Sequence, residues 1–94
     1  MMFKAKFALA DDVFRRLLKE LRGEKKLTQR QLARRLKVPQ SYVSKYETGE
    51  RRLDFVETVY VCQAMETSIE EFVSLFCERL ARAGRQRGTR MHEG

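Results

Sequence analysis

The sequence has few of the residues that break helices or cross-link small proteins. Its 94 residues include one Pro, five Gly, two Cys, one His and no Trp. Cys62 and Cys77 are not arranged as a C-x-x-C pair, so the sequence indicates neither a zinc site nor a disulfide framework. We predict two free, buried thiols in a reducing compartment.

Long hydrophobic runs are also missing. No stretch approaches the roughly 18 apolar residues that a membrane span needs, and residues 1–10 lack the apolar run of a secretory signal. The sequence contains no Gly-rich phosphate loop, no nucleophile beside a base and no cluster of metal ligands. We therefore expect a cytoplasmic protein that is not an enzyme, needs no cofactor or metal and does not act at a membrane.

Positive charge is abundant and unevenly distributed. The chain carries 20 Lys and Arg against 13 Asp and Glu, a formal net charge of +7. Residues 28–52 hold seven bases and two acids, whereas residues 53–77 hold five acids and no Lys or Arg. Such segregation is typical of a protein that meets a polyanion with one face, with nucleic acid as the first candidate and an anionic membrane as the second.

A chain of this length has room for one small domain with a single core. We place this domain at residues 11–82, after an N-terminal arm at residues 1–10. A basic tail at residues 83–94 lacks apolar anchors, so we expect it to be disordered unless it folds against a partner. The lone His92 in this tail is expected to be neither a ligand nor a base.

Apolar residues recur at helical spacing throughout the domain, and no stretch alternates as strands do. We predict an all-α fold of five helices. The first helix runs from Asp11 or Asp12 to about Gly23, and the next four open at Thr28, Pro39, Asp54 and Ser68. Three of these openings have Gln or Glu three residues later, which is the spacing of a capping box.

The last two helices carry most of the remaining apolar residues. In the fourth helix we expect packed side chains at Phe55, Val56, Val59 and Cys62, with Tyr60 and Met65 as further candidates. The stripe of the fifth helix consists of Ile69, Phe72, Val73, Phe76 and Leu80. This stripe can belong wholly to the core of one chain, or it can form a homodimer interface through Phe72, Phe76 and Leu80.

Only Lys37 and Val38 separate the second and third helices, which is the spacing of a helix-turn-helix. On a helical wheel, Val43 and Tyr46 of the third helix point to one side. The opposite side is polar, lacks carboxylates and consists of Gln40, Ser41, Ser44, Lys45 and Thr48. Amide, hydroxyl and ammonium groups hydrogen-bond to base edges, so we interpret these five residues as base-contacting.

Groups suited to phosphate surround this helix. Gln29 lies in the first turn of the second helix, where free N–H groups and the helix dipole favour an anion. Tyr42 lies at the edge of the core, and packing and a DNA contact are equally open for it. The predicted phosphate contacts are Gln29, Arg30, Lys37, Tyr42, Arg51 and Arg52. Arg34 and Arg35 add to the positive charge of the second helix. The alternative interpretation of this charge is a helix face that is simply exposed to solvent.

Residues 14–76 resemble the Cro and lambda-repressor family of helix-turn-helix domains, the XRE type. The resemblance rests on Leu27-Thr28-Gln29, on Gln31-Leu32-Ala33, on the run from Gln40 to Glu47 and on Gly49-Glu50-Arg51. It implies a five-helix bundle that binds a palindromic operator as a homodimer, usually to repress transcription.

The resemblance also implies roles for single residues. Gln40, Ser41 and Lys45 match base-contacting positions, and Gln29 matches a phosphate-contacting glutamine. Arg22 and Glu47 match a largely buried ion pair between the first and third helices.

This sequence departs from the family pattern at two positions. Lys37 stands where the family often has Gly, and a left-handed conformation there costs about 1 kcal/mol for a residue with a side chain. Pro39 stands where Ser or Thr commonly caps the third helix, so this helix loses a side-chain cap and keeps a preorganised backbone.

Two functions remain open from the sequence. The first is a sequence-specific regulator that binds double-stranded DNA, such as a homodimeric phage or plasmid repressor, a restriction-modification controller or an antitoxin. The second is an adaptor or antitoxin that binds a protein partner through the fifth helix and the tail. The Arg-rich tail suits either function.

Overall fold

In the computed structural model, the backbone is described for residues 2–93 and the side chains for residues 4–85. The elements are α1 (Met2–Glu24), α2 (Gln29–Leu36), α3 (Gln40–Thr48), α4 (Phe55–Ala64) and α5 (Ile69–Glu93). The described backbone contains no strand, which confirms the predicted all-α fold of five helices with a helix-turn-helix at α2 and α3. Over the described residues, none of the helices is both long and apolar enough to cross a membrane.

The first helix is longer than predicted, because α1 begins at Met2 and residues 2–10 are helical rather than a separate arm. This segment contains no Gly or Pro. Asp11 and Asp12 lie inside the helix, where Asp11 accepts a hydrogen bond of 3.0 Å from Nε of Arg15 and Asp12 forms an ion pair of 3.0 Å with Nε of Arg16. Ion pairs four residues apart stabilise a helix, so these two aspartates support its interior instead of opening it.

The last helix also exceeds the prediction, since α5 continues to Glu93 where we expected a disordered tail from residue 83. The segment contains no Pro, and its Ala, Arg, Gln and Met residues favour a helix, although each Gly costs about 1 kcal/mol. Arg79 attaches α5 to α1 through hydrogen bonds of 2.6 and 3.1 Å to the two carboxylate oxygens of Glu20. These bonds lower the pKa of Glu20. The side chain of His92 lies outside the described residues.

The predicted caps at the starts of α2 and α4 are confirmed. Thr28 Oγ1 accepts from the backbone N–H of Gln31 at 3.0 Å, and Gln31 Oε1 accepts from the backbone N–H of Thr28 at 2.8 Å. Asp54 and Glu57 form the same reciprocal pair at 2.7 and 2.9 Å. At the start of α5, the Ser68 hydroxyl accepts from the N–H of Glu71 at 3.0 Å. These bonds satisfy backbone donors that the first turn of a helix leaves free.

All five helices contribute to one core, in which α1 packs on α3 and α5, and α2 packs on α3 and α4. Its fully buried side chains include Leu17, Leu18, Leu32, Val43, Tyr46, Val61, Cys62 and Met65. The ring of Phe14 packs edge-on against Phe72 at 5.7 Å and against Phe76 at 6.2 Å between centroids, which joins α1 to α5. Phe72 is only 3% exposed. Its assignment to a dimer interface is therefore wrong, because the core of a single chain already buries it.

Several apolar side chains that we expected to be packed are exposed. On α4 the buried positions are Thr58, Val61 and Cys62, whereas Phe55, Val56 and Tyr60 are each more than half exposed. On α5, Val73 is 43% exposed. A helical wheel shows which residues share one side of a helix, but it does not show how far a neighbouring helix covers that side. Phe55 lies on the buried side of α4 and yet extends past the edge of the core.

The two cysteines differ in environment. Cys62 is fully buried, and burial raises the pKa of its thiol to about 11. Cys77 is exposed, so the prediction of two buried thiols is wrong for this residue. Cys77 borders a groove that Phe55 of α4 and Val73 of α5 also line.

The hydroxyl of Tyr46 is buried and has no hydrogen-bond partner in the described part of the chain. Burial raises the pKa of this phenol, which stays neutral. Because an unsatisfied buried polar group destabilises the folded state by about 1–3 kcal/mol, we expect Tyr46→Phe to leave the free energy of unfolding unchanged or to raise it by about 1 kcal/mol. Urea denaturation measures this difference.

Tyr42→Phe is the matched control, since the hydroxyl of Tyr42 donates to Glu57 Oε2 at 3.0 Å. Loss of this bond should lower the free energy of unfolding by about 0.5–1.5 kcal/mol. Equal destabilisation by the two substitutions would contradict the unsatisfied state of the Tyr46 hydroxyl.

Candidate nucleic-acid interface

A left-handed residue connects α2 to α3. Lys37 has φ 59° and ψ 44°, which is a conformation that glycine adopts most easily. The N–H of Lys37 donates to the carbonyl of Arg34 at 3.1 Å, and the N–H of Val38 donates to the carbonyl of Ala33 at 3.0 Å. These bonds close α2 and allow α3 to begin after Pro39, which caps α3 without a side-chain hydrogen bond.

The side of α3 that faces solvent carries most of the predicted base-contacting residues. Val43, Tyr46 and Glu47 are buried, and Ser44 is half-buried. The exposed residues of this side are Gln40, Ser41, Lys45 and Thr48. The Thr48 hydroxyl donates to the backbone carbonyl of Lys45 at 3.2 Å. The Lys45 ammonium is exposed and has no ion pair among the described side chains.

A buried ion pair connects α1 to the buried side of α3. Arg22 of α1 donates to both carboxylate oxygens of Glu47, through Nε at 2.7 Å and Nη2 at 3.0 Å. Its third nitrogen, Nη1, donates to the carbonyl of Leu27 at 2.8 Å. The Glu47 side chain is only 3% exposed. The hydrogen bond to Glu47 raises the pKa of Arg22.

Gln29 joins this ion pair to the exposed face. Its Nε2 donates to Glu47 Oε1 at 2.9 Å, and its Oε1 accepts from Gln40 Nε2 at 3.4 Å. Gln29 is therefore tied to the carboxylate on one side and to the first residue of α3 on the other. The chain of contacts runs from Arg22 through Glu47 and Gln29 to Gln40, and it places two amides at the junction of α2 and α3.

The predicted phosphate-contacting cations fall into two groups. Arg30 and Lys37 are exposed and make no ion pair among the described side chains. Arg51, in contrast, donates to Glu57 Oε2, and its guanidinium lies 4.5 Å from the centroid of the Tyr42 ring. Tyr42 therefore packs beneath Arg51 and bonds to the same carboxylate, so its hydroxyl already has a partner.

Glu57 is a residue of this site that our sequence analysis missed. One of its oxygens completes the cap of α4, and the other accepts from Tyr42 and Arg51. Its pKa is lowered first by the hydrogen bond from the Asp54 backbone and then by those of Arg51 and Tyr42. The capping role of Glu57 could be predicted from the sequence. Its bonds to Tyr42 and Arg51 could not, because they depend on how α4 packs beside α3.

Arg52 is also held within the chain. Its guanidinium lies 4.2 Å from the centroid of the Phe7 ring, in the N-terminal part of α1. Our assignment of residues 1–10 to an arm excluded this contact. The signal was nevertheless present, because Phe7, Ala10 and Phe14 continue the apolar stripe of Leu17 and Leu21 at helical spacing.

The arginines of α2 do not act alike. Arg35 donates through Nη1 to the carbonyl of Ala64 at 2.8 Å, which satisfies a free backbone acceptor at the C-terminal end of α4. Arg34 is exposed. On the basic surface of α2, Arg35 therefore makes a hydrogen bond to another helix of the chain. Arg30, next to Gln29, is exposed.

Comparisons with known proteins identify the family. The family model described as a helix-turn-helix domain matches residues 13–75. The fold is similar to that of an XRE-family like protein from Pseudomonas syringae pv. tomato str. DC3000, at 36% identity and a TM-score of 0.77, over 80% of this chain and 92% of the other. The chain belongs to the XRE-type helix-turn-helix family.

A second solved structure shares the fold. The clp gene regulator ClgR from Corynebacterium glutamicum is 24% identical, with a TM-score of 0.73 over 89% of this chain and 90% of the other. A comparison with curated proteins gives no significant match. Membership of the XRE-type family makes this chain a DNA-binding transcription regulator. Proteins with a helix-turn-helix typically place the second helix of the motif, here α3, in the major groove; we call the exposed side of α3 the recognition surface.

The Arg22–Glu47 ion pair leads to a stability prediction. Removal of one partner leaves the other charge buried, so Arg22→Ala and Glu47→Ala should each lower the free energy of unfolding by about 3–5 kcal/mol. Arg22→Met combined with Glu47→Leu removes both charges and fills the space. We expect this double variant to be more stable than either single variant by urea denaturation.

A double variant that is as unstable as the sum of the two single variants would contradict this explanation. Arg16→Ala is the matched control, because the exposed Arg16 pairs with Asp12 on the surface of α1. Its loss should change the free energy of unfolding by about 0.5 kcal/mol or less.

Proposed function

We propose that this XRE-family regulator is a homodimeric repressor that reads a palindromic operator with the exposed side of α3. The observation that carries the proposal is the grouping of Gln40, Ser41 and Lys45 on one exposed face. Arg30 and Lys37 lie on the neighbouring α2 and turn, and neither has an ion pair among the described side chains. The face offers amide, hydroxyl and ammonium groups and no carboxylate, and this chemistry suits base edges in the major groove.

In this proposal Gln40 and Lys45 provide most of the sequence discrimination. A glutamine amide can pair with adenine through two hydrogen bonds, and a lysine ammonium can reach the acceptors of guanine. Ser41, Ser44 and Thr48 add shorter contacts. The bond between Gln29 and Gln40 supports this assignment, because it limits the rotamers of the amide before DNA arrives.

Phosphate contacts then determine how the domain sits on the duplex. Gln29 and Arg30 open α2, where the free backbone N–H groups and the helix dipole favour a phosphate. Lys37 provides a further phosphate contact from the turn between α2 and α3, and Arg51 and Arg52 provide contacts from the segment after α3. In our proposal Tyr42 acts mainly by positioning Arg51, since its ring and hydroxyl are engaged with Arg51 and Glu57.

Selection of bound sequences from a random pool of duplexes tests the proposed function. The homodimeric repressor predicts that the enriched sequences contain two inverted half-sites, because the symmetry of the operator mirrors the two-fold symmetry of the protein. A reporter gene placed behind the selected operator should be expressed less when the chain is present. A single, asymmetric half-site or an activated reporter would contradict the proposal.

Lys45→Ala and Arg30→Ala should separate base reading from phosphate binding. Loss of the Lys45 ammonium should weaken binding to the selected operator by about 1–3 kcal/mol and leave binding to random DNA almost unchanged. Loss of Arg30 should weaken both and reduce the slope of log K against log salt by about one unit per contact. Fluorescence anisotropy over a series of salt concentrations measures both quantities.

Equal losses on operator and random DNA for Lys45→Ala would show that this residue does not read sequence. Lys19→Ala is the control, because Lys19 is an exposed lysine of α1. Its removal changes the net charge by the same amount, and we expect no loss of discrimination between the two DNAs.

Glu57→Gln should strengthen DNA binding. Glutamine keeps the cap of α4, as Gln31 does in α2, but no longer neutralises Arg51. The guanidinium is then free to pair with phosphate, so affinity for operator and random DNA should rise together. The salt slope should become steeper by up to about one unit per half-site.

The control for this variant is Glu66→Gln, which removes the same charge from an exposed residue without an ion pair among the described side chains. Its salt slope should equal that of the wild type. An unchanged slope for Glu57→Gln would show that Glu57 does not compete with phosphate for Arg51.

A further inference from the structure

Two neighbouring grooves on the surface form one elongated cleft. The first has a volume of about 380 Å³ and lies between α1, α4 and α5. The second has a volume of about 330 Å³ and lies between α1, α5 and the segment before α4. Both are lined by Phe14, Leu53 and Phe76, so the two grooves adjoin. Their volumes fall at the lower end of the range of small-molecule sites.

Aromatic rings form much of the wall of this cleft. The chain has six Phe, and five of them line one groove or both. These five are Phe7, Phe14, Phe55, Phe72 and Phe76. At one end of the cleft, Phe55 is 67% exposed. Apolar surface that is exposed in a concave site is typical of a place where a ligand binds.

The charged residues of the cleft are not equally engaged. Among the residues that line it, Asp11, Arg52 and Asp54 carry a charge. Asp11 pairs with Arg15, and Asp54 caps α4. The guanidinium of Arg52 lies against the Phe7 ring and has no ion pair among the described side chains. At this end of the cleft, a positive charge is therefore left for a ligand.

The opposite end of the cleft is apolar and bordered by acids. Phe55 and Val73 line it. Glu70 and Glu71, in the first turn of α5, are exposed and have no ion pair among the described side chains. Glu70 lies within about 60° of Val73 on a helical wheel. Residues 53–77 contain no Lys or Arg. A negative group of a ligand is therefore disfavoured here and favoured at the end with the guanidinium.

We propose that this cleft binds an amphiphile with a linear alkyl chain and an anionic head group, of which a medium-chain fatty acid is the simplest example. The head group pairs with Arg52, and the chain lies along Phe14 and Phe76 towards Phe55. Arginine and a carboxylate form charge-assisted hydrogen bonds, often through two parallel contacts. Removal of the alkyl chain from water supplies the remaining binding free energy.

The same arginine links the cleft to DNA. The effect on DNA rests on the proposed function, in which Arg52 contacts a phosphate from the segment after α3. A guanidinium that is paired with a head group is no longer free to bind phosphate, so the amphiphile lowers the affinity for DNA. This coupling is reciprocal, so DNA lowers the affinity for the amphiphile by the same factor. The amphiphile is therefore an inducer that releases the regulator from its operator.

The first test measures binding in the absence of DNA. In titration calorimetry with sodium decanoate below its micelle concentration, one molecule should bind per chain. Decanol should bind about tenfold more weakly, because it lacks the charge that Arg52 engages. The affinity should rise from hexanoate to decanoate by up to about fourfold for each added CH₂. Equal affinities for decanoate and decanol, or no dependence on chain length, would overturn the proposal.

The second test locates the site. Arg52→Gln removes the partner of the head group, and Val73→Asp places a carboxylate beside the alkyl chain, so each should weaken decanoate binding about tenfold or more. Val56→Asp is the matched control for the second variant, because Val56 is also an exposed valine, at 59%, and does not line the cleft. This control should bind decanoate as the wild type does.

Val73→Asp and Val56→Asp should bind DNA equally well without decanoate, since both add one negative charge to an exposed position outside α3. Wild-type affinity of Val73→Asp for decanoate would show that the cleft is not the site, as would an equal loss in Val56→Asp.

The third test measures release from DNA by fluorescence anisotropy on the selected operator. Saturating decanoate should lower the affinity and reduce the slope of log K against log salt by about one unit per half-site, because one phosphate contact is lost. Arg52→Gln already lacks this contact, so decanoate should not change its affinity for DNA. Binding of decanoate without any change in the DNA affinity of the wild type would overturn the inducer role.

Sedimentation with and without decanoate tests the other occupant that an apolar cleft accepts, a second copy of the chain. The proposal predicts the same oligomeric mass in both conditions, because the amphiphile does not displace protein. A dimer that decanoate converts to a monomer would show that a second copy fills the cleft, and it would overturn the amphiphile as the ligand.

The failure of this inference is distinguishable from that of the proposed function. If decanoate does not bind but Lys45→Ala still loses discrimination between operator and random DNA, the cleft is wrongly assigned and α3 keeps its role. If decanoate binds through Arg52 but Arg52→Gln leaves DNA affinity unchanged, the binding site holds and the phosphate contact of Arg52 is wrong.

Discussion

The buried carboxylate of Glu47 constrains most of the arrangement of this domain. A charge that is withdrawn from water destabilises the folded state by several kcal/mol unless hydrogen bonds and an opposite charge surround it. Arg22 of α1 provides the charge, and Gln29 at the start of α2 provides a further donor. Because Arg22 and Gln29 must both reach the carboxylate that α3 carries, the positions of α1, α2 and α3 are coupled. The recognition surface is a consequence of this coupling.

Other acids of the chain bring separate segments together in the same way. Glu57 caps α4 and at the same time bonds to Tyr42 of α3 and to Arg51 of the following segment. Glu20 accepts both bonds of Arg79 and so attaches α5 to α1. These three glutamates are therefore structural as well as electrostatic, because each pairs with a base from another segment.

The sequence predicted well what short-range chemistry determines. The capping boxes at Thr28 and Asp54 and the buried positions Val43 and Tyr46 depend only on residues within the same turn or helix. The five helices and the family followed from these signals. The sequence was less informative about the ends of α1 and α5, because helix propensity continues smoothly where we placed a boundary on apolar content alone.

Contacts between distant segments were not accessible from the pattern. The exposure of Phe55 and the burial of Phe72 depend on which neighbouring helices cover α4 and α5, and no periodicity within one helix contains this information. The same reason explains why the partners of two predicted phosphate contacts were missed. Arg51 and Arg52 were recognised as cations, but their partners Glu57 and Phe7 come from α4 and from the start of α1.

The position of α1 also controls the segment that follows α3. Gly49 has φ 92°, and a Cβ there would lie 3.3 Å from Cζ of Arg15, so both the backbone and the space favour glycine. Arg15 in turn donates to the carbonyl of Glu47 at 3.4 Å, and Phe7 lies beneath Arg52. Phe7, Arg15 and Arg22 therefore contact α3 or the residues after it from one side of α1. Because the same helix contacts both Glu47 and Arg52, its position bears on the position of α3 and of the segment that follows, although α1 itself contributes no predicted base contact.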